Sequence, residues 1–273
     1  GLILKAKLRD AGVSLRLVPN TEPALNTATS HHNKLGLSDN HVELLIIRAT
    51  NGSVVIAESV GAQNITALAA RDQARPKTDA FVGMLPPKLA RMMVNMGTGR
   101  LESEDITLLD PFCGTGVILQ EAALLGCDVY GSDLSEKMVE YSRINLEWLR
   151  NNHRLKNSVT ITQGDATMHR WDIPHISTVV CETYLGQPFS APPSQSKLTE
   201  VRSNCDHIIS EFLRNIAGQL TPGTPLCIAV PAWRDSSGNI THLPLIDNLS
   251  RLGYTRTELM HVRSGQLLYY RET

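Results

Sequence analysis

The chain has 273 residues, 42% of them hydrophobic, and a formal net charge of −1 at pH 7. This length and apolar content predict a globular protein of one to two domains with a sizeable core. The balanced charge excludes a uniformly basic nucleic-acid-binding chain, so any basic binding surface must be local.

The five cysteines form no Cys-x-x-Cys pair and do not cluster with histidines. That distribution argues against structural zinc and favours free thiols in a reducing compartment, so we expect no metal. The start of the chain does not resemble a secretory leader, and no apolar run reaches the roughly 18 residues that span a bilayer. We therefore expect a cytoplasmic protein without a membrane anchor.

The first 70 residues predict a small α+β module. A helix is predicted near residues 4–11 and a strand at residues 14–18. Two β-rich runs follow at residues 42–49 and 53–59, and between them stands Thr50-Asn51-Gly52. Asn-Gly between apolar runs is a strong hairpin signal, so these runs are predicted to pair antiparallel.

Residues 71–87 are rich in proline and glycine and predict a linker, which leaves residues 88–273 as the main domain. The apolar spacing after residue 88 predicts a helix. Strands and helices then alternate, which is typical of a parallel sheet covered on both faces. The predicted strands are 107–109, 128–131, 158–162, 178–181, 225–230, 259–262 and 266–271, and the predicted helices are 117–125, 136–149 and 197–220.

The last two predicted strands are separated by Ser264-Gly265 and resemble a closing antiparallel hairpin. The fold class is therefore α/β, with a Rossmann-like, mainly parallel seven-stranded sheet.

A glycine-rich turn joins the first strand of this domain to the next helix. Glycine lets the backbone approach a ligand closely, and the amides at the start of the helix point outward. The predicted cofactor loop consists of Asp110, Pro111, Phe112, Cys113, Gly114, Thr115 and Gly116.

Asp133 ends the following strand, where an acid can accept hydrogen bonds from both hydroxyls of a ribose, and Leu134 comes next. Together the loop and this acid predict an adenosine-containing ligand. A nicotinamide dinucleotide would use the same geometry, but the third glycine of its fingerprint is missing after Gly116. Asp110 can instead face the ammonium of a methionine moiety, which favours S-adenosylmethionine. The alternative is a tight strand-to-helix turn without a ligand.

Asp165 and Ala166 follow the third strand of the domain. At that position Asp165 can accept a hydrogen bond from the amino group of an adenine. The alternative is a surface aspartate that caps a turn, which is the commoner role. Three strand ends would then form one crevice, as in other open α/β sheets.

The stretch from Asp110 to Ala123 resembles the cofactor motif of the archaeal and eukaryotic tRNA guanosine N2-methyltransferases that act at position 10. The preceding Arg75-Pro76 and the segment Gly83 to Arg91 are similar to that family's linker and entry helix. The resemblance implies a class I methyltransferase fold, S-adenosylmethionine as cofactor and tRNA as partner. Residues 25–35 are similar to the C-terminal part of a THUMP module, whose first part is missing from the sequence.

The acceptor motif departs from the family. Amino-group methyltransferases of this type carry Asp-Pro-Pro-Tyr or Asn-Pro-Pro-Tyr after the fourth strand, whereas this chain has Glu182, Thr183 and Tyr184 after Cys181. The resemblance implies that Glu182 and the carbonyl of Thr183 accept the two N–H bonds of an exocyclic amine, and that Tyr184 holds the base. The alternative is a strand-end glutamate and a packed tyrosine.

Three functions remain open on these residues. The first is methyl transfer to guanine N2 in tRNA. The second is methyl transfer to an adenine or cytosine amino group in DNA, since that chemistry shares the acceptor motif. The third is a protein that binds S-adenosylmethionine or RNA without catalysis, which the altered acceptor motif supports. The sequence does not determine the oligomeric state.

Overall fold

The computed structural model describes residues 1–79, 83–99, 106–187, 189, 193–234 and 239–257. The chain divides into two compact units, Gly1–Gln73 and Ala74–Thr273. The division lies inside the predicted linker.

The first unit contains three helices and one β-hairpin. The hairpin pairs β1 (Leu44–Arg48) with β2 (Val54–Glu58) antiparallel, with Leu44 opposite Glu58. The hairpin prediction is confirmed. The helices are α1 (Leu2–Asp10), α2 (Thr27–His32) and α3 (Ile65–Gln73).

One prediction for this unit was wrong. Residues 14–18 form no strand in the described chain, where no other segment of the unit pairs with them. Helix α3 includes residues 71–73, at the start of the predicted linker. Helix α2 was not predicted; its start is capped by Asn26, whose side-chain oxygen accepts the Thr29 N–H at 2.8 Å.

The second unit is built on a five-stranded parallel sheet, with helices on both faces. Its strands lie in the order β5-β4-β3-β6-β7. They are β3 (Thr107–Asp110), β4 (Asp128–Asp133), β5 (Val159–Gln163), β6 (Thr178–Glu182) and β7 (Leu226–Ala229). The helices are α4 (Pro87–Thr98), α5 (Val117–Leu124), α6 (Glu136–His153) and α7 (Gln195–Ala217).

The core lies on both faces of this sheet. Leu108 belongs to the cluster formed with α4, α5 and α6, whereas the next residue, Leu109, belongs to the cluster formed with α7. Successive side chains of a strand point to opposite faces, so this central strand is buried on both sides. The predicted α/β class and parallel sheet are confirmed for five strands. The predicted strands at 259–262 and 266–271 lie outside the described residues.

A short antiparallel pair follows the sheet, β8 (Trp233–Arg234) with β9 (Ile240–Thr241), and then a 3-10 helix at Pro244–Leu252. These elements were not predicted from the sequence. Within the described ranges, no helix is both long and apolar enough to cross a bilayer.

Candidate active site

The carboxyl ends of the central strands form the candidate site. Strands β4 and β5 lie on one side of β3, and β6 and β7 lie on the other, so the strand order reverses at β3. Ligands of open α/β sheets bind in the crevice at such a reversal. Asp110, Asp133 and Glu182 are the last residues of β3, β4 and β6. The fold therefore brings three predicted site acids to one edge of the sheet.

The glycine-rich loop takes a backbone shape that requires glycine. Gly114 and Gly116 have φ angles of 51° and 82°. A β-carbon on Gly116 would also lie 2.9 Å from the Ser142 Oγ. Helix α5 begins directly after Gly116, so the free amides of its first turn lie beside the crevice.

Asp133 is fixed by two backbone amides. Its Oδ2 accepts the Gly114 N–H at 2.9 Å, and its Oδ1 accepts the Ser135 N–H at 2.9 Å. Burial raises the pKa of the Asp133 carboxyl, and the two N–H bonds oppose that rise. A carboxylate has about four acceptor positions, so two hydroxyl donors can still be accommodated. The structure thus holds this acid beside the loop in a defined orientation.

Asp110 is almost completely buried, with 1% of its surface exposed. Burial raises the pKa of its carboxyl well above the ordinary value, and the nearby Asp133 and Glu182 raise it further. The Phe112 N–H, which donates to Oδ1 at 3.1 Å, lowers it. Such a cluster of acids favours a positively charged ligand over an anionic one.

The other predicted cofactor residues, Asp165, Ala166 and Leu134, differ in burial and in hydrogen bonding. One oxygen of Asp165 accepts hydrogen bonds from the Thr167 N–H at 2.9 Å and the Thr167 Oγ1 at 2.7 Å, so this acid does cap its own turn. Ala166 is buried in the core, whereas Leu134 is 69% exposed directly after Asp133. A role for Asp165 and Ala166 at an adenine stays a prediction.

The acceptor segment stays hydrogen-bonded to the neighbouring strand for one residue beyond β6, where the family's motif has its first proline. Both the N–H and the Oγ1 of Thr183 donate to the Ala229 carbonyl, at 3.0 and 2.9 Å, and a proline could donate neither bond. Glu182 is half-buried at the edge of the crevice. Tyr184 packs against the core beside α7, which favours the packing alternative for its ring.

Two residues of α6 hold the loop and were not predicted from the sequence. The Ser142 Oγ donates to the Gly114 carbonyl at 2.7 Å, and the Asn145 Nδ2 donates to the Thr115 carbonyl at 2.9 Å. Both side chains are fully buried. The available signal was two polar residues, three positions apart, on a face otherwise occupied by Val139 and Leu146.

The cysteines near the loop are thiols. Burial raises the pKa of Cys113 and of Cys181 well above the ordinary value, and the nearby Asp110 raises both further. These thiols are therefore poor nucleophiles. Among the residues whose placement is described, no three His, Cys, Asp or Glu side chains are grouped as metal ligands.

The chain resembles curated tRNA-modifying enzymes over part of its length. It is 32% identical over 166 residues to the tRNA (guanine(10)-N2)-dimethyltransferase of Methanothermobacter thermautotrophicus, which is 60% of this chain and 44% of that enzyme. It is 47% identical over 83 residues to the enzyme of the same name from Pyrococcus abyssi, which is 30% of this chain and 22% of that enzyme. The chain spans less than half the length of these relatives.

Among solved structures, TrmN from Thermus thermophilus matches 84% of this chain and 55% of its own, with 19% identity and a TM-score of 0.43. The model of the RMKL-like methyltransferase domain matches residues 75–233. That match contains the glycine-rich loop, the three strand-end acids and the acceptor segment. The chain therefore belongs to the family of RMKL-like methyltransferase domains.

Proposed function

We propose that this chain binds S-adenosylmethionine and transfers its methyl group to guanine N2 in tRNA. The observation that carries the proposal is the arrangement of Gly114, Asp133 and Asp110 at one sheet edge, in a domain whose family consists of methyltransferases. The choice of guanine in tRNA rests on the names of the curated relatives.

The described residues fit this cofactor. S-adenosylmethionine carries a positive sulfonium and an ammonium, and three carboxylates converge where it would bind. Asp133 would accept the ribose hydroxyls, Asp110 would face the ammonium, and the loop amides would lie against the amino-acid moiety. When bound, the cofactor supplies an electrophilic methyl group. The neighbouring Leu134 offers an exposed apolar side chain for the adenine.

Glu182 and Thr183 are the proposed acceptor residues. The lone pair of an exocyclic amine is delocalised into the base, so the amine is a weak nucleophile. A carboxylate of Glu182 and the Thr183 carbonyl would each accept one N–H and favour a pyramidal nitrogen. The hydrogen bonds from Thr183 to Ala229 fix this backbone in place. Tyr184 would then border the base with the part of its ring that the core leaves exposed.

The first unit is proposed to act as a partial THUMP-like module that contacts tRNA, and the protein is proposed to work in the cytoplasm. Incubation of the full chain with tRNA and isotope-labelled S-adenosylmethionine, followed by mass spectrometry of the nucleosides, tests the reaction. We expect labelled N2-methylguanosine. Methylated adenine or cytosine on a DNA substrate would instead support the DNA alternative.

Two variants test the acceptor residues. Glu182→Gln should lower turnover by about 100-fold or more, because it removes the charged acceptor, while cofactor binding measured by calorimetry stays intact. Glu200→Gln, on the surface of α7, is the matched control and should leave turnover unchanged. Cofactor binding by the wild-type chain without turnover on any nucleic acid would favour the non-catalytic alternative, for which the changed acceptor motif is the supporting observation.

A further inference from the structure

A buried asparagine of α6 ties the cofactor loop to a second segment of the chain. Asn145 is 0% exposed, and its Nδ2 donates to the Thr115 carbonyl at 2.9 Å. The same amide forms two bonds with the backbone of Lys77: its Oδ1 accepts the Lys77 N–H, and its Nδ2 donates to the Lys77 carbonyl, both at 2.9 Å. One side chain thus holds two stretches of backbone that are 38 residues apart in sequence.

The amide group of Asn145 makes three of its four possible hydrogen bonds in this arrangement. A primary amide has two N–H donors and one oxygen, and here both donors and the oxygen are engaged. No other side chain of similar size offers the same pattern: aspartate lacks the donors and leucine lacks all three groups. The pattern selects asparagine for its hydrogen bonds rather than for its volume.

The segment around Lys77 has a second tie to α6. Two residues later, the carboxylate of Asp79, which is 7% exposed, pairs with the Lys137 Nζ at 2.6 Å. Lys137 lies on the first turn of α6, just after the loop that begins at Asp133. Residues 77–79 are therefore held at two positions of α6, by Lys137 in its first turn and by Asn145 near its middle.

We propose that Asn145 is a positioning residue that sets the cofactor loop and couples it to residues 77–79. The inference rests on the proposed function for the identity of the cofactor. Hydrogen bonding of the Thr115 carbonyl on the α6 side fixes the peptide plane between Thr115 and Gly116, and with it the shape that the loop presents to the cofactor. Cofactor binding to the loop should in turn restrain the backbone at Lys77.

The coupling predicts a pH-dependent variant. In Asn145→Asp, the side chain still accepts the Lys77 N–H, but its second oxygen faces the carbonyls of Thr115 and Lys77. The carboxylate form is repelled by these oxygens, whereas the protonated form regains one donor. Cofactor affinity of this variant should therefore recover as the pH falls, and a residue with only a packing role would give no such recovery.

The test measures S-adenosylmethionine binding to the full chain by calorimetry. Asn145→Ala should raise Kd about tenfold or more, since each lost bond to a carbonyl is worth up to about tenfold. The matched control is Asn157→Ala, whose Nδ2 donates to the carbonyls of Ala123 and Cys127 at the opposite end of the sheet. The control should change Kd less than about twofold, because the bonds that it removes lie at the opposite end of the sheet from the crevice. Compared with the wild type at the same pH, which corrects for the titration of Asp110 and Asp133, Asn145→Asp should bind more weakly at about pH 8 and should regain affinity at about pH 5.

Hydrogen exchange separates this inference from the proposed function. In wild type the Lys77 amide should be protected without cofactor and more protected with it, and Asn145→Ala should remove both effects. If the wild type does not bind S-adenosylmethionine, the proposed function fails. Hydrogen exchange at Lys77 in wild type and in Asn145→Ala then decides whether Asn145 holds residues 77–79. Wild-type affinity in Asn145→Ala, or unchanged exchange at Lys77, would overturn the inference. If Asn145→Ala does not fold, the pH profile of Asn145→Asp decides instead.

Discussion

Replacement of Gly116 by alanine tests the loop geometry most directly. The added β-carbon would lie 2.9 Å from the Oγ, 3.2 Å from the Cβ and 3.3 Å from the Cα of Ser142, which is fully buried and hydrogen-bonded to the Gly114 carbonyl. The φ of 82° adds backbone strain of about 1–2 kcal/mol for a residue with a β-carbon. Crowding of a packed site costs about 1–3 kcal/mol more.

The free energy of unfolding should therefore fall by about 2–5 kcal/mol in Gly116→Ala, as measured by urea denaturation with tryptophan fluorescence. Gly223→Ala is the control: its φ is 93°, but a β-carbon there would meet nothing within 4 Å. That variant should lose only the strain contribution of about 1–2 kcal/mol. Equal destabilisation of the two variants would show that Ser142 does not crowd the loop and would refute the reasoning.

Three further predictions concern titratable groups. Asp133→Asn should weaken S-adenosylmethionine binding about tenfold by equilibrium dialysis, because one acceptor oxygen of a charged group is lost, whereas Asp128→Asn at the other end of β4 should not. Burial raises the pKa of the Asp110 carboxyl in the folded protein. The contribution of Asp110 to the free energy of unfolding is therefore fully present below the ordinary pKa of 3.8 and is lost as the pH rises through the raised pKa. Asp110→Asn should thus stabilise the cofactor-free protein in urea at neutral pH and not at low pH; equal effects at both would contradict this. Iodoacetamide at about pH 8 should leave Cys113 and Cys181 unmodified until the chain is unfolded, as intact mass would show.

The central sheet could be predicted because its signals are local. Each strand from β3 to β7 carries apolar residues, β3, β4 and β6 end at an acid, and the parallel arrangement follows from the intervening helices. The loop and Asp133 were predicted for the same reason, since glycines and a strand-end acid are visible in sequence. The hydrogen bond from the Gly114 N–H to Asp133 confirms that these two features lie together.

The contacts of α6 could not be predicted in the same way. Ser142 and Asn145 are polar residues in a helix, and such residues usually lie in solvent. Their burial depends on where the loop carbonyls are placed, which only the folded sheet determines. The predicted strand at residues 14–18 was wrong for a related reason: β-propensity does not supply a pairing partner.

The acceptor segment shows a further limit of motif comparison. Its position at the end of the fourth strand places Glu182 at the acid of the motif, but the motif does not reveal that Thr183 extends the pairing of β6 with β7 by one residue. Two prolines would have ended that pairing because proline lacks an N–H. The direction in which Tyr184 leaves the sheet is consequently set by Ala229 on the neighbouring strand.

The two amide bonds to Asp133 also bear on the thermodynamics of binding. An aspartate side chain without such bonds must lose rotamer freedom before it can accept hydrogen bonds from ribose hydroxyls, and that loss weakens the affinity for the ligand. Here the Gly114 and Ser135 amides immobilise the carboxylate during folding, before any ligand arrives. The entropy cost of ordering this side chain therefore lowers the free energy of unfolding of the domain rather than its affinity for a nucleoside. The ligand meets an acceptor that is already in its final rotamer.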